Sequence, residues 1–415
     1  MNSTNLTQVG QYIVDDCTIT ASNGKQFQAS NIVVGIQLYE DLYSAFITGY
    51  IVLRDGLGII DSLPLRGEES ISLRLRTPTL NEKYQMVDEV FYMYSMQERL
   101  NVDKKTQDYV IGICTRETML NKLIRVGEGF ADTGSNIALT LLQDQRYLGT
   151  EKPLTIEPTN TFLNYTSNYW TINENLQYIT SMSTNQSGVA NFVYFENRFG
   201  INVISLDSLF AYSPVYQKFY YDDYTNPIGG INMDKSFQRV EQFQIISSYD
   251  YMRDTQNGML SSIDFSYDSV RKVYNSNVFN YQDNFVVTAH LNDDPLYSEG
   301  AVIPLFGKMV QTPRAFDTYG NGDQSAFSTI QQRASMLNTL NARKIKIAVP
   351  GRFDYTVGQI VEFETYTTKP LQKGDDPIDY SVSGKYVISA LQHVMTKTNH
   401  TCVMELSTDS IKRKP

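Results

Sequence analysis

Residues 69–76 alternate without interruption, with Ile71, Leu73 and Leu75 on one side and Ser70, Ser72, Arg74 and Arg76 on the other. Side chains of an extended chain point to opposite faces with a period of two, so this segment reads as a half-buried antiparallel strand. Neighbouring segments belong to the same pattern. Tyr12-Ile13-Val14 opens a strand run that turns at Asn23-Gly24, a dipeptide favoured in hairpins. Residues 45–53 form a further strand ending at Arg54-Asp55-Gly56, where glycine permits the positive φ of a tight turn. Residues 90–96 and 109–114 supply two more, and the first hundred-odd residues are expected to form an antiparallel barrel or sandwich. Composition agrees: 29 Tyr and 20 Phe against one Trp, with many Asn, Ser, Thr and Val, is a strand-and-turn vocabulary.

The period then changes. Ser135 is placed to cap a helix over 136–147, with Ile137, Leu141 and Leu142 on one side and Gly149 just beyond. A second helix is predicted over 171–183, opened by a capping box of Thr171 and Glu174 and carrying Ile172, Leu176, Ile179 and Met182 at helical spacing. Strands at 192–195 and 201–204 flank a turn at 197–200 and complete a mixed α/β unit. Strand patterning returns over 242–267, with a hairpin turn expected at Gln256-Asn257-Gly258, whereas 268–327 carries no clear pattern. After a helix over 328–341 come strands at 344–349, 359–363, 384–391 and 401–406, a second small β-domain.

With 415 residues the chain has room for about two to four domains. Its 41 % hydrophobic and 19 % charged residues exclude wholesale disorder. Glu40, Asp41, Arg54 and Asp55 interrupt the most apolar early region, so no membrane-spanning segment is expected. A net charge of −10 repels nucleic-acid phosphates, and the only basic run, Lys412-Arg413-Lys414, is expected to be a solvated tail. Cys17, Cys114 and Cys402 are odd in number and far apart, which disfavours a disulfide framework or a cysteine-rich zinc site. The first residues have neither the basic nor the apolar segment of a signal peptide, so folding in a reducing cytoplasm is expected.

Chemical motifs give way to simpler readings. Asp132-Thr133-Gly134-Ser135 matches the aspartic-protease tetrad, but no second copy exists and the tetrad leads straight into a helix. Ser383-Gly384-Lys385 lacks the other residues of a phosphate-binding loop, with Asp379 and Tyr386 in their places. Gly56-Leu57-Gly58 and Gly127-Glu128-Gly129 each lack the third glycine of a dinucleotide fingerprint. His290, His393 and His400 are the only histidines, and His393, on a predicted strand, reads as a structural residue. Asp222-Asp223 and Asp293-Asp294 sit in Tyr-rich loops where paired acids could serve glycan hydrolysis, although adjacent loop acids are usually solvated turns. No catalytic, cofactor-binding or metal-ligating residue is therefore assigned, and no cofactor or enzymatic activity is expected.

Three stretches together resemble the baseplate hub protein of contractile-tailed bacteriophages, the trimeric ring between tail tube and central spike. The first is Phe46-Ile47-Thr48-Gly49-Tyr50-Ile51-Val52-Leu53-Arg54-Asp55 followed by Leu63-Pro64-Leu65-Arg66-Gly67-Glu68-Glu69-Ser70-Ile71. The second runs over 169–209 and includes Asn191-Phe192-Val193-Tyr194-Phe195-Glu196 and Phe199-Gly200-Ile201. The third, 343–410, includes Val349-Pro350-Gly351, Val357-Gly358-Gln359-Ile360-Val361, Ser383-Gly384-Lys385-Tyr386-Val387-Ile388 and Thr408-Asp409-Ser410.

The resemblance implies a mainly β protein with an α+β portion: two antiparallel β-barrel domains plus a mixed α/β region. On this reading the N-terminal barrel spans 1–115, the mixed region 116–236 and 276–328, the second barrel 237–275 and 329–408, and a C-terminal tail 409–415. It also implies a homotrimer in the virion tail baseplate, assembled in the host cytoplasm. There it would match a sixfold tail tube to a threefold central spike protein and line part of the genome-ejection channel, through which DNA passes without specific binding. Tail tube protein, spike protein and baseplate wedge proteins are the implied partners. A tail-tip glycan hydrolase, a carbohydrate-binding receptor protein and the hub of a related contractile injection machine are the alternatives. Because the chain stops at Pro415, a separate spike is expected rather than a fused one.

Overall fold

The alternating pattern at 69–76 forms where the sequence places it. The computed structural model describes residues 8–56, 58, 65–78, 86–103, 105–221, 233–268, 272–297, 307–311, 322–370, 376–397 and 399–414. Its first strands are β1 (Ile13–Thr20), β2 (Gln26–Gln28), β3 (Val33–Asp41), β4 (Thr48–Asp55), β5 (Ser70–Arg76), β6 (Met86–Asn101) and β7 (Gln107–Cys114). Ile71, Leu73 and Leu75 of β5 are fully buried. They meet Ile19, Ile36, Ile51, Phe91, Tyr109 and Ile111 in one core, so the sheet, in the order β2-β1-β5-β6-β7-β4-β3, folds around its own apolar face. Gly24 turns the β1–β2 hairpin at φ +80°. The sequence reading passes over β3 because a register shift between Val33 and Gly35 breaks its alternation.

The mixed region follows, with α1 (Arg116–Leu123), β8 (Gly129–Thr133), α2 (Gly134–Gln143), β9 (Leu154–Ile156), β10 (Phe162–Thr166), α3 (Ile172–Met182), β11 (Phe192–Asn197), β12 (Gly200–Ser205) and α4 (Leu206–Tyr212). The apolar stripe of α3, Ile172, Leu176 and Ile179, packs against Ile137, Leu141 and Leu142 of α2 and against Phe192 and Ile201 of the β11–β12 hairpin. Thr171 and Glu174 make the expected reciprocal capping box. Ser135 does not cap α2. The helix starts two residues earlier, after Thr133, and the Ser135 N–H donates to Thr159 Oγ1 at 2.9 Å, so a neighbouring segment satisfies the helix end.

The remaining elements are β13 (Val215–Tyr221), α5 (Met233–Phe237), β14 (Gln242–Ser247), α6 (Tyr251–Gln256), β15 (Ser261–Asp268), β16 (Val273–Asn280), α7 (Tyr281–Val287), β17 (Asp294–Pro295), β18 (Gly307–Gln311), α8 (Gly322–Ala342), β19 (Arg343–Pro350), β20 (Ile360–Thr365), β21 (Gly384–Thr396), β22 (His400–Thr408) and β23 (Ser410–Ile411). Backbone pairing runs β13-β20-β21-β22-β19-β14. It returns to β13 through residues 238–240, where Tyr220 donates to Gln238 and Val240 donates to Tyr220, each at 2.9 Å. The strands thus close a six-membered ring around Phe219, Ile345, Ile347, Val361, Phe363, Tyr386 and Met404. β21 also pairs with β3, so the N-terminal sheet and the ring share one continuous sheet.

Three expectations differ from this arrangement. Gln256-Asn257-Gly258 ends a helix instead of turning a hairpin. Asp250 caps α6 by accepting from Arg253 N, and Gly258 closes it at φ +73°, since a left-handed glycine serves helix ends as well as hairpins. Residues 261–268 and 273–275, assigned by sequence to the second barrel, lie in a separate sheet of order β16-β15-β18. The C-terminal basic run is docked rather than free: β23 pairs with β17, Lys412 bonds Glu362 at 2.8 Å, and Arg413 pairs with Asp294. The whole is mainly β with an α+β portion, and among the described residues no helix is long and apolar enough to cross a membrane.

Candidate functional site

The residues weighed for chemistry are scattered. Asp132 ends β8, is exposed, and accepts from Thr133 N and Asn136 Nδ2 at the start of α2. Asp293 and Asp294 hold Arg413, and Asp222-Asp223 lies outside the described residues. His290 is clamped on all sides: Nδ1 lies 2.6 Å from Asp409 Oδ2, Nε2 3.0 Å from Thr288 Oγ1, and the Phe285 ring stacks on it at 3.6 Å. His290 and Asp409 form a wall of a small apolar pocket with Leu206, Phe210, Tyr281 and Met336. His393 is brought to His400 and Cys402 by the β21–β22 register.

Perturbed carboxylates gather where the three cores meet. Glu196 of β11 is sealed from solvent and accepts from Ile47 N and Thr115 Oγ1, each at 3.0 Å. Lys152 bridges it to Glu89 of β6 and approaches Glu117 of α1 at 3.7 Å. Glu40 of β3 accepts from Thr356 Oγ1 at 2.5 Å and from Val357 N at 3.0 Å, tying the N-terminal sheet to the loop before β20. Burial pushes both Glu40 and Glu196 up to about 7, against the opposing pull of these hydrogen bonds and nearby cations. Raised carboxylates are a mark of acid–base sites, but these spend their oxygens on backbone N–H groups and hydroxyls inside a closed seam. The arrangement fastens elements together.

The surface offers a different feature. Among the described residues, strand β14 pairs through 242–247 on one side only, with β19. Ile245 and Ile246 are about half exposed, at 47 % and 49 %, and the chain continues into Tyr249, Tyr251 and Met252, at 76 %, 48 % and 71 %. A strand edge with no partner among the described residues, beside a run of exposed apolar side chains, presents backbone donors and acceptors and apolar area together. Sequence patterning found a strand there. It could not show that the strand lies on an edge, because edge position depends on pairing with residues a hundred positions away.

No family model matches the chain. A curated relative, the probable baseplate hub protein gp334 of Vibrio phage KVP40, is 20 % identical over 414 residues, covering 93 % of this chain and 92 % of the relative. The chain is a homologue of a phage baseplate hub protein. The fold likeness extends to a tail protein from Neisseria meningitidis MC58, with a TM-score of 0.54 and 11 % identity, covering 96 % of this chain and 97 % of that one. It extends also to the 43 kDa tail protein of prophage MuSo2 from Shewanella oneidensis, with a TM-score of 0.55 and 7 % identity, covering 95 % and 98 %. The hub-like stretches read from the sequence therefore lie in a chain that aligns over 93 % of its length with a hub relative and whose fold is like that of tail proteins.

Proposed function

We propose that this chain is a structural protein of a phage tail baseplate and works as the central hub, a homotrimer that joins a sixfold tail tube to a threefold spike. The observation that carries the reading is the end-to-end match to a hub relative, with 93 % of this chain and 92 % of the relative aligned. Two β-rich bodies per subunit give a trimer six similar elements on one side and three subunit surfaces on the other. We further propose the division drawn from the sequence, an N-terminal β-domain ending near residue 115, a mixed α/β region, and a C-terminal β-domain. Tail tube protein, spike protein and baseplate wedge proteins are its proposed neighbours, and the work is assembly, which requires no catalysis.

The edge of β14 that no described residue pairs and the exposed run through Met252 support subunit contact with a second copy, since hydrophobic and backbone-bonding groups coincide there. A trimer interface would bury more than about 1,000 Å² per subunit pair. The net charge of −10 supports a channel wall on which Asp and Glu outnumber Lys and Arg, along which DNA slides without counterion release. Light scattering and single-particle averaging of the full chain, alone and with tail-tube protein, test the reading. The expected result is a trimeric ring that Ile246→Lys converts to monomers without unfolding them. A monomer or isolated dimer in the assembled tail, or a bore lined mainly by Lys and Arg, overturns it.

A further inference from the structure

The β21–β22 hairpin places three metal-ligating side chains on one buried face. His393 stands directly across the ladder from Cys402, and His400 lies two residues before Cys402 on the same strand, so the period of two turns all three the same way. His393 Nδ1 lies 3.0 Å from His400 Nε2 and 3.2 Å from Cys402 Sγ, and Cys402 Sγ lies 3.6 Å from His400 Nε2. Each residue is buried, at 3 %, 0 % and 0 % exposure. From these atoms we infer a His393–His400–Cys402 site for a soft or borderline transition-metal ion, zinc or copper(I).

The spacing fits the ion. Metal–nitrogen bonds of about 2.0–2.1 Å and a metal–sulfur bond of about 2.3 Å put tetrahedral ligand atoms roughly 3.4–3.6 Å apart. The observed triangle, 3.0, 3.2 and 3.6 Å, needs adjustments of only a few tenths of an ångström. Two imidazoles and a thiolate are the donor set that zinc and copper prefer over magnesium or calcium. The His393 ring also hydrogen-bonds the backbone of Tyr355. With Nδ1 facing the cluster, that bond uses the ring's other side, holding the tautomer whose Nδ1 lone pair points inward.

The surroundings are built around these rings. Phe353 stacks on His400 at 4.4 Å, and Tyr12 meets it edge-on at 6.1 Å. A Cβ on Gly351 would lie 2.2 Å from His400 Cγ, so the absence of a side chain there makes room for the imidazole. Without an ion the arrangement is costly. Three polar groups face one another in an apolar shell. Binding exchanges the Cys402 thiol proton, released to solvent, for a metal–thiolate bond, and it staples β21 to β22 where His400 N donates to Gly10 O at 2.7 Å. Among the described residues no further His, Cys, Asp or Glu joins the group, leaving a three-donor set.

Full-length protein expressed in zinc- or copper-supplemented medium and purified without chelator is assayed for metal by elemental analysis. About one ion per chain is expected, with loss in Cys402→Ala and His393→Gln. Because the site is sealed, a second measurement unfolds the wild type in guanidinium with chelator and refolds it with and without zinc. The metal-refolded protein should melt several degrees higher. Refolding with cobalt(II) should give a thiolate-to-cobalt charge-transfer band that Cys402→Ser lacks. Folded wild-type protein holding no more zinc or copper than Cys402→Ala, and gaining no stability on refolding with metal, overturns the site even if the variants themselves fail to fold.

Discussion

The N-terminal sheet draws its seven strands from one uninterrupted stretch, residues 13–114, whereas the C-terminal ring gathers six from three stretches, 215–221, 238–247 and 343–408. The first is antiparallel throughout. The second contains a parallel pair, β13 with β20, because β13 arrives from the mixed region instead of from a hairpin. Closure of the ring therefore depends on contacts between residues more than a hundred positions apart, and the loop-closure entropy of those contacts must be met by packing. Packing inside the ring is aromatic: Phe363 of β20 meets Phe243 of β14 across it at 5.0 Å and Tyr386 of the neighbouring β21 at 6.4 Å.

The largest expected effects come from opening cavities in the two cores. Phe363→Ala in the ring should cost about 3–5 kcal/mol, and Leu73→Ala in the N-terminal sheet about 2–5 kcal/mol. What separates one unit from two is whether these losses share a transition. β21 pairs with β3 from Gly35 to Asp41, and Phe353 and Met395 of the C-terminal half insert into the N-terminal core. Both variants should therefore shift a single guanidinium transition, followed by far-ultraviolet circular dichroism and by Trp170 fluorescence. Two separated transitions, each moved by only one variant, would show that the shared sheet does not couple its halves.

The same contrast explains what the sequence made legible. Residues 69–76, the capping box at Thr171 and the 192–204 hairpin are decided by neighbours in the chain, and each forms as the sequence reads. β13 carries no sequence signal, because Tyr216, Gln217 and Lys218 leave no apolar alternation. Its place is set by β20, not by its own pattern. Asn257-Gly258 suggests a hairpin turn in the sequence, yet the same residues end a helix when an acidic cap such as Asp250 lies seven residues upstream. The carboxylates are illegible for a stronger reason: Glu40 reaches Thr356, and Glu196 reaches Lys152, only after separate parts of the chain pack. The His393, His400 and Cys402 group left a signal that pairing could have used, since a hairpin between the strands at 384–391 and 401–406 sets residue 393 opposite residue 402.

The seam that joins the mixed region to the N-terminal sheet gives the next effect. Lys152 compensates Glu196 and Glu89 and lies near Glu117, with Glu196 sealed from solvent. Lys152→Met keeps most of the side-chain stem and removes the charge, leaving buried carboxylates unpaired. Breaking such a pair costs about 3–5 kcal/mol, and the partial exposure of Lys152 places this case near ~3 kcal/mol at pH 8. Urea unfolding should show that loss, and Lys152→Arg should recover part of it. A loss within ~0.5 kcal/mol would mean that apolar packing alone holds the seam.

The smallest effect is a change of slope at the link between the two halves. Glu40 on β3 accepts from Thr356 and Val357 of the C-terminal half, and burial raises its folded value from 4.5 to about 7. A group raised on folding favours the native state through its protonated form. Its contribution is full below pH 4.5 and is lost as pH rises through 7, because the folded chain then holds an ionised carboxylate out of water. The wild type should therefore lose stability between pH 5 and pH 8 through this group. Glu40→Gln keeps an oxygen that can accept from Thr356 and Val357 and cannot ionise. Its stability relative to wild type should thus be more favourable at pH 8 than at pH 5. Urea midpoints at the two pH values measure the difference. If Glu40→Gln is instead relatively less stable at pH 8, the carboxylate is ionised in the fold at both values, and the attraction of the nearby Arg198 cation and the two hydrogen bonds outweighs the cost of its burial.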